Sequence, residues 1–253
     1  MGEELLLNKK ILVMGVANKR SIAWGCAKTM EEQGATIIYT YQNERMKKSI
    51  QKLVPNEKYL IECDVSSDEN IKNAFAEVEK RFGKVDGIVH AIAYANREEL
   101  QGDIMNTSRE GYEMAQDISA YSLIAVAKYG KDILNNPASI VTLTYMGSTR
   151  AIPNYNVMGV AKAALESSMR YLARDMGKFG VRVNAISAGA MKTLAVTGVA
   201  DHSSLLKESE RRTVDHHSVT LEEIGGVCAF LMSDLSKGIV GDVIYVDKGV
   251  HLI

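Results

Sequence analysis

Seven short, almost uninterrupted apolar runs, spaced by segments of helical periodicity, are the feature that most restricts what this chain can fold into. They read KILVMG from Lys10, ATIIYTY from Ala35, KYLIECDV from Lys58, VDGIVHAIA from Val85, ASIVTLTY from Ala138, VRVNAIS from Val181 and DVIYVD from Asp242. A strand with one wet face alternates apolar and polar side chains, whereas these runs do not alternate, so each is read as a strand covered on both faces. The intervening segments carry helix-start signals, taken here as capping boxes: Ser66 with Glu69, Thr107 with Glu110 and Thr220 with Glu223. The order βαβαβα predicts a doubly wound parallel sheet with flanking helices. With only three prolines and no low-complexity linker, residues 1-253 are expected to form one domain. The stretch from Leu194 to His217 is polar and irregular, and is expected to be a mobile flap carrying a short helix.

Composition narrows the function classes. Thirty basic and thirty-one acidic residues leave a formal charge of -1, so no chain-wide attraction to nucleic acid or to an anionic membrane is expected. No apolar run reaches membrane-spanning length, and the start of the chain has neither a basic nor a long apolar signal region, which points to a cytoplasmic protein. Cys26, Cys63 and Cys228 lack metal-site or disulfide spacing and read as small core residues in a reducing compartment. No metal is expected.

The first strand leads into MGVANKRSIAWG, Met14 to Gly25, at the position where a Rossmann-like fold places a cofactor pyrophosphate against helix N-H groups. The G-x-G-x-x-G spelling is missing. Gly15 can supply the tight turn, Gly25 the close helix approach and Ser21 a hydroxyl donor, although an ordinary βα turn fits the same residues. After the second strand, Gln42 and Asn43 are placed to hydrogen-bond an adenosine ribose without charge. Arg45, Lys47 and Lys48 could take a 2'-phosphate, but they fall where a helix should begin and read as its solvated face, which favours NADH over NADPH. Asp64 can accept from an adenine amino group or act as a charge near the next helix start.

After the fifth strand, Pro153 marks a helix start, and Tyr155 and Lys162 lie seven residues apart, about two turns, on one face. Many nicotinamide reductases place such a pair four apart; Met158 occupies that position here. Tyr145, at the strand end, is a second candidate for the pocket wall.

Taken together, Gly15-x-x-x-x-x-Ser21-Ile22-Ala23-x-Gly25, YQNE, CDV, HAIAYA, DIMNTSREG, Tyr145, PNYNVMGVAK and VRVNAISAG resemble the NADH-dependent enoyl-acyl-carrier-protein reductases, a divergent branch of the short-chain dehydrogenase/reductase superfamily. The resemblance runs from about Lys10 to the C-terminus. It implies that Gly15, Ser21 and Ile22 hold the pyrophosphate region, Gln42 the adenosine side, Asp64 and Val65 the adenine, and Ile92 the border of the nicotinamide ribose. Lys162 would hold that ribose, Met191, Lys192, Thr193, Leu194 and Ala195 would line the nicotinamide, and Ala95 would touch substrate. The implied reaction is hydride transfer from NADH to the β-carbon of a trans-2-enoyl thioester on acyl carrier protein, in fatty acid elongation. Tyr155 would stabilise the enolate oxygen, and Tyr145 would position substrate. The resemblance also implies a homotetramer.

The chain departs from that pattern in places. Ala190 replaces the usual proline after SAG, Met191-Lys192 replaces Ile-Arg, and ADHSS at residues 200-204 replaces a basic stretch expected to dock the carrier, with Lys207, Arg211 and Arg212 only further on. Where the family often has paired arginines, this chain has His216-His217 next to Asp215, a pair expected at the solvent or at a subunit contact rather than on a metal. A reductase of another enone, ketone or enoyl-CoA, or an NADH-responsive binding protein without catalysis, are the alternative readings.

Overall fold

The computed structural model describes residues 4-193 and 196-252. All seven apolar runs form strands: β1 Lys10–Met14, β2 Thr36–Tyr41, β3 Leu60–Glu62, β4 Val85–His90, β5 Leu134–Thr144, β6 Val181–Ala188 and β7 Val243–Val246. They make one parallel sheet of order β3-β2-β1-β4-β5-β6-β7, with Leu12 opposite Ile38 on one side and Ile88 on the other.

The described residues form eight α-helices: α1 Ile22–Glu32, α2 Glu44–Ile50, α3 Asp68–Phe82, α4 Arg109–Gln116, α5 Ser122–Gly130, α6 Asn156–Met176, α7 His202–Arg212 and α8 Leu221–Met232. Alternate strand residues feed two cores. Ile11, Val13, Val89, Val141 and Ile186 meet Ala23, Cys26, Ile50, Ile224 and Cys228 of α1, α2 and α8 on one face. Leu12, Ile88, Ile140 and Val183 meet Ile71, Phe75, Leu123, Leu165 and Met169 of α3, α5 and α6 on the other. Both faces are therefore dry, which is why the runs lack polar alternation. The three cysteines are buried as free thiols.

Two cap assignments need correction. Ser67, not Ser66, caps α3 by accepting from Asn70 N, and Ser108, not Thr107, caps α4 by accepting from Gly111 N. In each tandem pair either hydroxyl has the right chemistry. Ser66 is occupied by Asp64, to which it donates at 2.8 Å, and Ser108 is drawn in by the buried Glu99, to which it also donates. Thr220 and Glu223 form the expected reciprocal box at α8. The helix after Pro153 begins three residues later than expected, at Asn156. Asn154 sits at φ 62 because its side chain accepts from Gly102 N and donates to Ala200 O, so the backbone there cannot be helical.

The sheet order reverses direction between β1 and β4. That reversal leaves a crevice at the C-terminal ends of the strands, where ligands bind in open α/β sheets. The loops after β1, β4, β5 and β6 all open onto that edge.

Candidate active site

Around the crevice, close backbone approach begins with Gly15, at φ +99, where a Cβ would fall 2.0 Å from Ala91 O beyond β4. No side chain fits there, so the loops after the two switch-point strands touch. Gly25 plays a second role, since a Cβ there would lie 2.7 Å from Leu221 Cβ, and its absence lets α1 pack on α8. Ser21 is the N-cap of α1 yet leaves the first helical N-H groups uncapped. Its Oγ accepts instead from Ala17 N and Asn18 N, both at 3.0 Å, which folds the loop back over the helix end. The serine hydrogen and the N-H groups of Ile22 and Ala23 have no acceptor among the described residues, the arrangement that an anion at a helix N-terminus completes.

At the adenosine end, Gln42 and Asp64 come together across β2 and β3, with Gln42 Nε2 donating to Asp64 Oδ2 at 3.3 Å. Asp64 also holds the turn into α3 through Ser66, so both roles considered for it are compatible with its position. Val65 is buried in the core beneath. Asn43 caps α2, its Oδ1 accepting from Met46 N at 3.1 Å, while its Nδ2 donates to Gln42 Oε1 at 3.5 Å. Lys47 lies on that helix between Glu44 and Glu57, as a solvated face would have it.

The chemistry-bearing groups stand at the ends of β4, β5 and β6. Tyr145 follows β5 and Tyr155 precedes α6, and their rings meet edge to face with centroids 5.0 Å apart. Gly147 makes that possible, because a Cβ there would lie 2.5 Å from Tyr155 Cδ1. Burial raises the Tyr155 phenol well above the ordinary tyrosine range, with Tyr145 adding to the effect, and burial raises Tyr145 as well. Both are neutral O-H donors at working pH. Neither hydroxyl has a hydrogen-bond partner among the described residues, so both are available to a ligand.

Lys162 stands two turns into α6 and is only 6% exposed. Its Nζ donates to Leu143 O at 2.7 Å, which leaves two N-H donors of the ammonium for something else. Burial lowers its pKa to about 8, against an opposing pull from Glu166. Met158, four residues before it, packs into an apolar cluster with Leu100, Val157, Ala161 and Val199. Ala95 and Tyr155 border the same cluster, which brings the expected substrate contact beside the expected oxyanion donor. Ile92 packs at the edge of the core just beyond β4.

Beyond β6, Met191 is half-buried against the α1 side, Lys192 is exposed, and Thr193 is buried with its Oγ1 accepting from Val196 N. Leu194 and Ala195 lie outside the described residues. Within residues 196-217 the helix α7 spans eleven residues, His202–Arg212. Its base is tied down by Ala200 N, which donates to Leu100 O, and by Asn154. A cavity of about 270 Å³ lies between α7 and the Tyr145 side, lined by Ile152, Pro153, Leu205 and Arg212 among others. His216 and His217 are exposed, each with Nδ1 on a nearby backbone carbonyl, and Asp215 pairs with Lys248 at 3.0 Å.

Three buried groups of the site were not singled out from the sequence. His90 ends β4 with Nε2 at 2.8 Å from Ser122 Oγ and Nδ1 at 3.0 Å from Thr142 Oγ1. Ser122 donates to Ile118 O, so it accepts from Nε2-H; Thr142 Oγ1 donates to His90 O at 3.2 Å, and burial keeps the ring neutral. Glu166, one turn beyond Lys162, and Glu99, which holds the loop after Ala95 onto α4, are the others. A histidine inside an otherwise apolar run was the available signal for the first; a carboxylate one turn from the lysine was the signal for the second.

A dinucleotide fold whose strand ends carry an open helix N-terminus, two unpartnered phenols and a buried ammonium defines a nicotinamide-dependent oxidoreductase of the short-chain reductase type. The chain belongs to the enoyl-(acyl carrier protein) reductase family, whose model matches residues 15–251. It is 59% identical over 247 residues to the NADH enoyl-[acyl-carrier-protein] reductase of Enterococcus faecalis, covering 98% of this chain and 99% of that protein. It is 47% identical over 252 residues to an NADPH-named enoyl-[acyl-carrier-protein] reductase of Staphylococcus aureus, covering 98% of each. The crystal structure of the Bacillus cereus enoyl-acyl carrier protein reductase with NADP+ and an indole naphthyridinone superimposes with a TM-score of 0.95 at 45% identity, covering 98% of both chains.

Proposed function

We propose that this reductase uses NADH to saturate the trans-2 double bond of enoyl thioesters presented on acyl carrier protein. The observation that carries the reading is the trio of Tyr145, Tyr155 and Lys162, which leaves two phenolic hydroxyls and two ammonium hydrogens unclaimed beside an apolar cluster. These groups fit a dinucleotide: uncapped N-H groups of α1 suit a pyrophosphate, the Gln42-Asp64 pair suits the adenosine end, and Lys162 suits ribose hydroxyls. Bound NADH would supply the hydride to the substrate β-carbon, and a proton taken up at the α-carbon would complete the saturation.

The side chains do the rest. Tyr155 donates its O-H to the thioester oxygen as negative charge develops there, in a pocket dry enough to strengthen that bond. Lys162, anchored on Leu143 O, holds the ribose side of the cofactor and adds positive charge nearby. Ala95 and the Leu100, Met158 and Val199 cluster exclude water and give the acyl chain an apolar wall. Tyr145, packed on the Tyr155 ring, sets the angle at which substrate enters. Met191, Lys192 and Thr193 lie on the nicotinamide side of the crevice, and α7 forms one side of the substrate cavity. The preference for NADH is supported by the uncharged Gln42 and by the pairing of Lys47 with Glu44 and Glu57.

Stopped-flow oxidation of NADH, with an enoyl thioester offered on acyl carrier protein and on coenzyme A, tests the reading, and NADPH serves as the control. Faster turnover on the protein carrier with NADH is expected. Tight NADH binding without turnover on either thioester defeats it. Turnover on coenzyme A alone would instead favour the second reading, an enoyl-CoA reductase. One feature favours that second reading: Arg211 on α7 is already bound to Glu208, which reduces the basic surface left to attract an acidic carrier. The protein is also proposed to work in the cytoplasm as a homotetramer, joined through α4, α5 and α6. Among the described residues no helix is long and apolar enough to cross a membrane.

A further inference from the structure

We propose that Glu166 is a positioning residue for the reductase reaction, a buried carboxylate pinned by Thr144 that keeps Lys162 an ammonium without occupying its hydrogens. The inference rests on the reading above that Lys162 holds the cofactor ribose.

Glu166 is 4% exposed on α6, one turn beyond Lys162 and on the same helix face. Its Oε1 accepts from Thr144 Oγ1 at 2.7 Å. Thr144 follows Leu143, whose carbonyl receives the Lys162 ammonium, so consecutive residues at the end of β5 hold the two charged groups of α6. Across the sheet Thr144 is registered with Ser187 of β6. Ile140 of β5 and Val183 and Ala185 of β6 belong to the α6-side core, so by strand alternation both hydroxyls face α6. Ser187 Oγ is buried with no hydrogen-bond partner among the described residues, which marks this corner as polar beyond what its packing uses.

A buried carboxylate held by one neutral hydroxyl is poorly compensated. Its other partner, Arg170, lies at 3.7 Å on a side chain that is 55% exposed, and such a pair is weak. A tie between helix and sheet would need only an amide, which has the same hydrogen bond and no charge to desolvate. The charge has a use opposite a second buried charge. Lys162 and Glu166 make no ion pair within 4 Å, so the ammonium keeps its donors for ligand while still feeling the carboxylate. Direct contact would have taken those donors.

The other ionisable groups around Lys162 do not supply this balance. His90 of β4 is neutral, its pKa pushed down to about 3 by burial and then by the Lys162 charge. Tyr145 and Tyr155 are raised and neutral. Glu110 and Glu113 on α4, Asp117 and Tyr121 after it, Lys128 on α5, Arg150 after β5 and Lys178 after α6 are all exposed. Arg182 of β6 faces the other layer, where it binds the carbonyls of Leu231 and Ser233. Glu99 and Asp247 are buried too, but among the described residues Glu166 is the charged group that raises the Lys162 pKa against burial.

The test is a pH titration of the ligand-free protein labelled with ¹³C at the lysine ε-carbons, with the Lys162 signal assigned by its loss in Lys162→Met. A wild-type midpoint near pH 8 is expected. In Glu166→Gln, which keeps the Thr144 bond and removes the charge, the midpoint should fall by about one pH unit. The alkaline limb of kcat/KM and the pH dependence of NADH affinity should move down with it. Thr144→Val, which leaves the carboxylate charged but untethered, should give a smaller shift in the same direction, and serves as the readout should Glu166→Gln fail to fold. An unchanged Lys162 midpoint in the folded variants overturns the inference. A Lys162→Met protein that binds and oxidises NADH like wild type overturns the parent reading instead, and the two failures are separately visible.

Discussion

At the residue scale, the division of labour between Tyr155 and Lys162 follows from which atoms are left free. Tyr155 has an unpartnered, fully protonated hydroxyl facing an apolar cluster, so removing that oxygen should affect the transition state and spare cofactor binding. Tyr155→Phe is expected to lower kcat/KM by roughly 100- to 1000-fold while the NADH dissociation constant, read by fluorescence, stays within about twofold. Equal losses in both would show that the phenol holds cofactor rather than the developing charge. His90 makes a different prediction, about stability. It is neutral in the fold at a pKa of about 3 against 6.5 for a free imidazole, and it is enclosed by Ser122 and Thr142. Between those values the unfolded chain binds the proton and the folded one does not. Stability should therefore fall as pH drops below about 6.5 and continue falling towards about 3, by on the order of a few kcal/mol. Thermal unfolding of His90→Asn across that range should show a shallower acid limb than wild type; an equally steep limb would assign the acid sensitivity to other groups.

Among the elements, helix boundaries separate what a sequence can specify from what tertiary structure decides. Ser66 and Ser67 are chemically interchangeable as caps, and the choice falls to Asp64, which takes the Ser66 hydroxyl for the turn below the cofactor edge. Ser67→Ala should therefore destabilise the protein by about 1 kcal/mol through α3 in denaturant unfolding. Ser66→Ala should cost less stability and weaken NADH binding instead, through a loosened Asp64. Equal effects on stability would show that the cap is shared. The strands were legible for the opposite reason. Burial on both faces leaves runs such as KILVMG no alternative use, and their C-terminal ends place Gly15, Ile92, Tyr145 and Met191 on one edge of the sheet. The seven-residue Tyr155-Lys162 spacing was legible too, although Tyr155 proves to be the N-cap of α6 rather than part of its first turn. Asn154 was not, because its left-handed backbone depends on Gly102 and Ala200, residues roughly fifty positions away on either side. His90, Glu99 and Glu166 were missed on the same ground: a buried polar group is visible in a sequence only as an interruption, and its partners come from other elements.

For the whole molecule, the helices of one layer are only half used by the single chain. Tyr112, Tyr121 and Ile124 on the α4 to α5 segment, and Val160 and Tyr171 on α6, are large apolar side chains between 36% and 69% exposed. Their helices also carry the buried faces that hold Lys162 and Tyr155 in place, through Val157, Ala161 and Leu165. A second copy covering this outer surface would confine α6 from both sides and so restrict the motion of the lysine it carries. Light scattering at micromolar concentration is expected to give a mass near four times the 27.8 kDa chain. Val160→Glu, which sets a charge into that surface without touching the inner face, should shift the population to smaller species. If the outer contact steadies α6, the smaller species should retain the fold by circular dichroism but bind NADH more weakly. A monomeric wild type with full activity would show that the apolar helix faces serve some other contact, and that α6 needs no partner to hold its lysine.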